Sequence, residues 1–352
     1  MINRRKTITV VVGDVRIGSL FPIAVQSMTK VATVETSRCV RQIKQLVHAG
    51  CDLVRLAVPT RADTGAFAKI VPQVTVPLIA DVHFSPARAI EAIEAGAAKV
   101  RLNPGNIKKP KDIFRIIDAA KIHKTAVRVG VNEASIRDMG RHYVPLSKRV
   151  PLMLREMKKY VRVFEKRGFD QIVLSAKSSD VLRTIEVNRQ IAAAFDYPIH
   201  LGLTHAGLAE HSRVPSAVAV GTLLAEGIGD TIRISAAGNP LKETQIAVEI
   251  LEALGLRRKA APELIVCPTC ARAQMDITKL ARRIKRLIED VNKPFRIAVM
   301  GCVVNGPGEA ADADLAVCAA KTKAYIYRHG RRVSTVPQER ILQEVQEQLR
   351  RL

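Results

Sequence analysis

The sequence predicts an α/β fold: a (β/α)8 barrel of the TIM type followed by a small α+β domain. Three observations predict it. First, a unit of helix, glycine and short β-branched strand recurs along the early part of the chain. Gly50 precedes Leu53-Val54-Arg55-Leu56, Gly96 precedes Lys99-Val100-Arg101-Leu102, Gly168 precedes Gln171-Ile172-Val173-Leu174, and Gly227 precedes Thr231-Ile232-Arg233-Ile234. Each glycine fits the left-handed position that closes a helix before a strand. Second, the intervening segments carry apolar stripes at helical spacing. Third, the alternation stops after Leu254.

Four more strand candidates, Ile23 to Met28, Pro77 to Phe84, Val127 to Val131 and Ile199 to Leu203, complete eight β/α units by about residue 236. Eight such units favour a closed barrel, with an open doubly wound sheet as the alternative that periodicity leaves standing. Val40, Ile43, Leu46 and Val47, and likewise Ile113, Ile116, Ile117 and Ala120, each form one inward stripe of a covering helix. Arg257-Arg258-Lys259-Ala260-Ala261-Pro262 reads as a basic linker ending in a helix breaker. This divides the chain into a barrel over 1–257 and a second domain over 262–352. The second domain begins with a strand ending at Val266. A helix with Ile277, Leu280, Ile284 and Leu287 inward follows, then a strand from Phe295 to Met300, short strands around His329-Gly330 and a final helix.

A chain of 352 residues has room for two hydrophobic cores, so stability needs no disulfides. Six cysteines are too sparse for a secreted disulfide scaffold, and three of them stand at metal-ligand spacing. That usage points to a reducing compartment, the cytoplasm. No apolar run approaches a membrane span, and no membrane association is expected. The formal charge of +23 suits nucleic acid, an anionic small substrate or an acidic protein partner. With 4% aromatic residues and no Trp, stacking platforms for bases are scarce, and no nucleic-acid partner is expected.

In a (β/α)8 barrel the strand C-termini build the site. The polar residues there are Arg55, Asp81, His83, Arg101, Asn103, Arg128, Asn132, Ser175, Lys177, Thr204, His205, Arg233 and Ser235. Any one of these arginines could be an ordinary surface cation. Four Arg and one Lys at equivalent strand positions instead call for an anion, and the guanidinium fork suits phosphate oxygens. The second domain supplies Cys267-Pro268-Thr269-Cys270 and, later, Gly301-Cys302-Val303-Val304-Asn305-Gly306-Pro307-Gly308-Glu309. The pair alone would suit a zinc knuckle or a redox dithiol. With Cys302 added, three cysteines plus a carboxylate suit a [4Fe-4S] cluster, which takes thiolates and can leave one iron a weaker oxygen ligand, better than zinc, which prefers four closed protein ligands. Cys318 is an alternative fourth ligand, but its alternating strand-like stretch, Asp314 to Ala320, better fits a buried structural cysteine, as do the positions of Cys39 and Cys51. Two other classes compete: a pteroate-synthase-like transferase barrel with a structural metal domain, and a basic zinc-bearing nucleic-acid-binding protein.

Several blocks together resemble the 4-hydroxy-3-methylbut-2-enyl diphosphate synthase family in its short two-domain bacterial form. They are Pro22-Ile23-Ala24-Val25-Gln26-Ser27-Met28-Thr29, Asn103-Pro104-Gly105-Asn106-Ile107, Glu226-Gly227-Ile228-Gly229-Asp230-Thr231, Cys267-Pro268-Thr269-Cys270 and the Gly301 to Ala310 stretch. The resemblance implies reductive ring opening of 2-C-methyl-D-erythritol 2,4-cyclodiphosphate, with electrons from flavodoxin or ferredoxin. It also implies a [4Fe-4S] cluster on Cys267, Cys270, Cys302 and Glu309, substrate binding by the barrel-mouth residues, and a head-to-tail homodimer. The chain departs from the family pattern at His205, where the family has Glu in Thr-Glu-Ala-Gly, and the implied acid role falls to His205. It departs also at Ser85 for Asp, Ala134 for Gly and Pro215 for Lys.

Overall fold

A computed structural model describes residues 2–103, 106–107, 109–133, 136, 144–204, 207–291, 293–304 and 306–351, apart from the side chain of Glu309. The chain divides into two compact units, Met1–Arg257 and Arg258–Leu352.

The first unit opens with a hairpin, β1 (Val10–Val12) and β2 (Val15–Ile17). Eight parallel strands follow: β3 (Ala24–Met28), β4 (Leu53–Ala57), β5 (Leu78–Asp81), β6 (Lys99–Leu102), β7 (Ala126–Asn132), β8 (Ile172–Lys177), β9 (His200–Leu201) and β10 (Thr231–Ile232). Their order, β8-β7-β6-β5-β4-β3-β10-β9, leaves β8 and β9 at the two ends. A parallel bridge between Leu174 and Ile199 joins those ends, with Leu174 N–H donating to Pro198 O at 2.8 Å. The sheet is thereby a barrel rather than an open doubly wound sheet.

Alternation along the strands sorts side chains to two faces. Val54, Leu56, Val100, Leu102, Val127, Val129, Leu174 and Ile232 face outward into the main core, against helices such as Thr36–His48, Pro110–Ile122 and Leu146–Lys166. The opposite face begins apolar: Ala24, Leu53, Ile79, Ala126 and Val173 form a separate cluster with Val10, Val12 and Ile17 of the hairpin. The hairpin thus plugs the barrel at the N-terminal ends of its strands, a feature not foreseen from the sequence. Further along the strands the same face turns polar.

The four predicted cap glycines take left-handed φ values, 96° at Gly50, 94° at Gly96, 60° at Gly168 and 77° at Gly227. After each, the next N–H returns to the helix, as in Cys51 N to Leu46 O at 3.0 Å and Ile228 N to Leu223 O at 2.8 Å. This is the Schellman pattern. Lys124 closes Pro110–Ile122 in the same way at φ 52°, with Thr125 N donating to Ala120 O at 2.9 Å. One stripe residue differs from expectation. Val47 is exposed, because Cys39, Val40, Ile43 and Leu46 already complete the buried stripe.

The second unit is a five-stranded sheet ordered β11 (Glu263–Val266), β12 (Arg296–Met300), β13 (Leu315–Ala319), β14 (Lys323–Arg328) and β15 (Arg331–Pro337). The first three strands run parallel and the last two pair antiparallel through a tight turn at His329 (φ 46°) and Gly330 (φ 73°). Helices Ile277–Ile288 and Ile341–Leu349 cover one face, where Ile277, Leu280, Ile284 and Ile288 are buried. No described helix is long and apolar enough to cross a membrane.

Candidate active site

At the C-terminal ends of the barrel strands lies a cavity of about 200 Å³. It is lined by Arg55, Asp81, His83, Arg101, Arg128, Asn132, Ser175, Lys177, Thr204, Arg233 and Ser235, together with Gly130, Val131 and Leu203. Strand pairing brings the polar set together: Asp81 is in register with Arg101, Arg101 with Arg128, and Asn132 with Lys177. Asn103 does not join the lining. It is buried just past β6, and its carbonyl accepts Asn106 N at 2.9 Å and Ile107 N at 3.3 Å as the chain turns into its loop. His205 lies outside the described residues.

Five lining residues are cations and one is a carboxylate. Asp81 Oδ2 stands 3.8 Å from Arg55 Nε and 3.5 Å from His83 Nε2, while Oδ1 stands 3.6 Å from Arg101 Nη1. Burial raises the Asp81 carboxyl, but Arg55, the His83 hydrogen bond and Arg101 outweigh it and hold it far below the usual carboxylate range. Arg128 and Lys177 are each depressed well below their ordinary values, first by burial and then by neighbouring cations. Arg233 is pushed down to about 10 by burial and Arg55, with Glu243 opposing. A guanidinium does not give up its proton under ordinary conditions. Two unit charges about 6 Å apart in a partly buried site repel by roughly 3 kcal/mol. The cavity therefore favours an anion with several oxygens, and among the described residues the Nε atoms of Arg101, Arg128 and Arg233 are without hydrogen-bond partners to meet it.

Two glycines make this crowding possible. A Cβ on Gly130 would lie 3.0 Å from Ser175 Oγ and 3.4 Å from Arg101 Nε. One on Gly202 would lie 2.9 Å from Lys177 Nζ and 2.2 Å from Arg233 O. Neither was singled out from the sequence, and neither was the support behind Arg233. There Glu243, 1% exposed on its side chain, holds Arg233 Nη2 at 3.3 Å and Lys30 Nζ at 2.8 Å and accepts Ala236 N–H at 3.1 Å. Lys30 also lines an adjacent cavity of about 540 Å³ that shares Arg233 and Ser235 with the first. An acidic residue in the first turn of a helix ordinarily reads as a partner for the helix dipole, which concealed Glu243.

In the second unit Cys267 follows β11 and Cys302 follows β12, two adjacent parallel strands, and Cys267 N–H donates to Val299 O at 2.9 Å. Cys267, Cys270 and Cys302 are in no disulfide and are half-buried, exposed and half-buried respectively. Thr269 between the first two is left-handed at φ 63°. A Cβ on Gly301 would lie 3.5 Å from Cys267 Sγ, and one on Gly306 would lie 2.9 Å from Met300 Cβ. Among the described residues no three His, Cys, Asp or Glu side chains come within metal-holding reach, and the side chain of Glu309 is not among them. Three soft cysteine sulfurs in the loops after neighbouring strands, with glycines clearing the backbone beside them, suit a thiolate-bound metal group in donor chemistry. Cys39, Cys51 and Cys318 are buried; burial pushes their thiols up to about 11, 12 and 12, which fits a structural role.

Fold and cavity together define a (β/α)8 barrel protein with an anion-accepting mouth. Residues 7–248 match the GcpE TIM-barrel domain and residues 263–351 the GcpE protein C-terminal domain. The chain belongs to the GcpE family. It is 41% identical over 344 residues to the 4-hydroxy-3-methylbut-2-en-1-yl diphosphate synthase (flavodoxin) of Malacoplasma penetrans, covering 97% of this chain and 94% of the relative. It is 44% identical over 336 residues to the enzyme of that name from Nitratidesulfovibrio vulgaris, covering 95% and 86%. Among solved structures, dihydropteroate synthase of Xanthomonas albilineans with 4-aminobenzoic acid superposes with a TM-score of 0.52 at 16% identity, over 70% of this chain and 98% of that one. At that identity the likeness concerns the barrel fold alone.

Proposed function

We propose that this chain catalyses the reductive ring opening of 2-C-methyl-D-erythritol 2,4-cyclodiphosphate to 4-hydroxy-3-methylbut-2-enyl diphosphate, a step of isoprenoid precursor biosynthesis. The observation that carries the reading is the cavity at the strand ends, where five cations share one carboxylate. The relatives' printed names supply the product and the flavodoxin donor; ferredoxin is the alternative carrier. The setting is the cytoplasm, and the working form a head-to-tail homodimer.

Arg55, Arg101, Arg128, Lys177 and Arg233 take the phosphoryl oxygens, with Arg favoured where two oxygens are held at once. Asp81 orients Arg55 and Arg101 and accepts hydrogen bonds from substrate hydroxyls. His83, Asn132, Ser175, Thr204 and Ser235 complete the polar wall, and Asn103 sets the loop after β6. Loss of the substrate hydroxyl as water requires a proton, and His205 is the proposed donor. Cys267, Cys270, Cys302 and Glu309 would hold a [4Fe-4S] cluster. When bound, that group delivers electrons one at a time, which a flavodoxin-type carrier can replenish.

The deciding experiment is anaerobic turnover of the cyclodiphosphate with reduced flavodoxin, alongside iron and sulfide analysis of the wild type and Glu309→Ala. The expected result is product formation and iron-rich protein, with cluster content reduced in the variant. Protein that binds zinc, stays iron-free after anaerobic reconstitution and forms no product would overturn the reading.

A further inference from the structure

Beneath the cavity the inward face of the barrel carries groups that the reaction does not use. Lys99 on β6 and His200 on β9 are fully buried, and Gln26 on β3 is 1% exposed. Among the described residues, Lys99 Nζ, His200 Nε2 and both amide atoms of Gln26 have no hydrogen-bond partner. His200 Nδ1 lies 2.6 Å from Thr231 Oγ1 on β10.

Among the described residues no counter-charge acts on Lys99. It pairs in register with Ile79 of β5 and Ala126 of β7, both members of the apolar plug. The charged groups that bear on it are Arg128 of β7 and Arg55 of β4, both cationic. His200 is influenced by Lys177 of β8, Arg128, Lys99 and Arg55. The carboxylate of the cavity, Asp81 of β5, is engaged with Arg55, Arg101 and His83. An ammonium with three donors, no acceptor and cationic neighbours is the less stable form of this side chain; the amine is the more stable.

We propose that Lys99 is an uncharged amine in the free protein and takes a proton from solvent when an anion fills the cavity, so that ligand binding and proton uptake are one event. The proposal rests on reading the cavity as a polyanion site. Its chemistry is a single step: a solvent proton binds the Lys99 Nζ lone pair. The bound anion brings negative charge into a field set by Arg55 and Arg128, and thereby restores the ordinary preference of lysine for its charged form. Burial, then Arg128 and Arg55, lowers the Lys99 proton affinity well below its usual value. Burial, then Lys177, Arg128 and Arg55, lowers His200 likewise, which favours a neutral imidazole. The site generates one of its charges on demand and avoids a further self-repulsion while empty.

The test is calorimetric titration of anaerobic, full-length, cluster-loaded protein with the cyclodiphosphate in the absence of any electron donor, in buffers of different ionisation heat. The phosphodiester oxygens of this ligand do not titrate near neutral pH, so protons taken up belong to the protein. The expected result is proton uptake by the wild type that falls by about one proton per chain in Lys99→Met, with binding retained; uptake that persists in the variant belongs to Lys177, which burial and neighbouring arginines depress in the same way. Binding without uptake in the wild type, or unchanged uptake in Lys99→Met or in the second variant Lys99→Gln, would overturn the proposal. Absence of binding by the wild type would instead sink the polyanion reading on which it rests. Thermal melting gives an independent readout. Removal of a partnerless amine should leave the melting temperature of Lys99→Met unchanged or higher, whereas a fall of several degrees would mean that a charged, paired ammonium had been lost.

Discussion

Glu243 Oε2 lies 3.3 Å from Arg233 Nη2 while its Oε1 holds Lys30 Nζ at 2.8 Å, so one buried carboxylate ties the barrel wall at Arg233 to the segment after β3. Glu243→Gln keeps the shape but leaves two cations without their partner. Breaking a buried pair in this way costs about 3 kcal/mol. We expect a stability loss of that order in urea unfolding and a rise in KM of about tenfold as Arg233 loses its orientation. Unchanged stability and KM would show that Arg233 is held by other groups.

Asp81 links stability to pH. Its folded-state proton affinity is depressed, so its contribution is complete above the ordinary carboxylate range and is lost as pH falls toward the folded value. Asp81→Asn should therefore flatten the stability profile between about pH 5 and pH 2 relative to the wild type. Chemical denaturation at a series of acidic pH values checks this. Parallel curves for the two proteins would refute it.

At Gly130 the missing side chain is the functional element. In Gly130→Ala the new methyl meets Ser175 Oγ at 3.0 Å and Arg101 Nε at 3.4 Å, both of which line the cavity. A displacement of these groups by a fraction of an ångström should lower kcat/KM about tenfold with little change in melting temperature. Gly202→Ala meets the Arg233 carbonyl at 2.2 Å, and backbone cannot yield as a side-chain tip can. That variant should fail to accumulate as folded protein, which soluble expression and circular dichroism would reveal.

Lys124 occupies a left-handed cap with an exposed side chain and φ 52°. Glycine avoids the Cβ clash of this conformation, an advantage of about 1 kcal/mol after its greater unfolded-state freedom is counted. Lys124→Gly should raise the melting temperature by a few degrees. A lower melting temperature would mean that the lysine side chain contributes more than its backbone costs.

The barrel and most of its mouth were legible in the sequence because both follow from short-range rules. The helix caps at Gly50, Gly96, Gly168 and Gly227 announced each strand, and the residues at strand ends followed from the side on which barrels build sites. Lys124 shows where the cap signal fails, since the same backbone turn can be made without glycine. Glu243 and Lys30 were hidden because their roles depend on elements far apart in sequence meeting behind Arg233. Gly130 and Gly202 were hidden for a different reason: they act by the space they leave, which becomes visible only when Ser175, Arg101 and Lys177 have been placed. The β1–β2 hairpin was missed because Val10, Val12 and Ile17 reveal their purpose only against the strand starts of a closed barrel.

That hairpin has a kinetic consequence. Val10, Val12 and Ile17 pack in one buried cluster with Leu53, Ile79 and Val173, so that among the described residues the strand-start end of the barrel is filled with apolar side chains. That packing leaves the strand ends as the side from which substrate should enter and product should leave, the two taking turns in one vestibule. Product should then inhibit competitively, and the pace at which the doorway clears sets an upper bound on turnover however fast the chemistry within becomes.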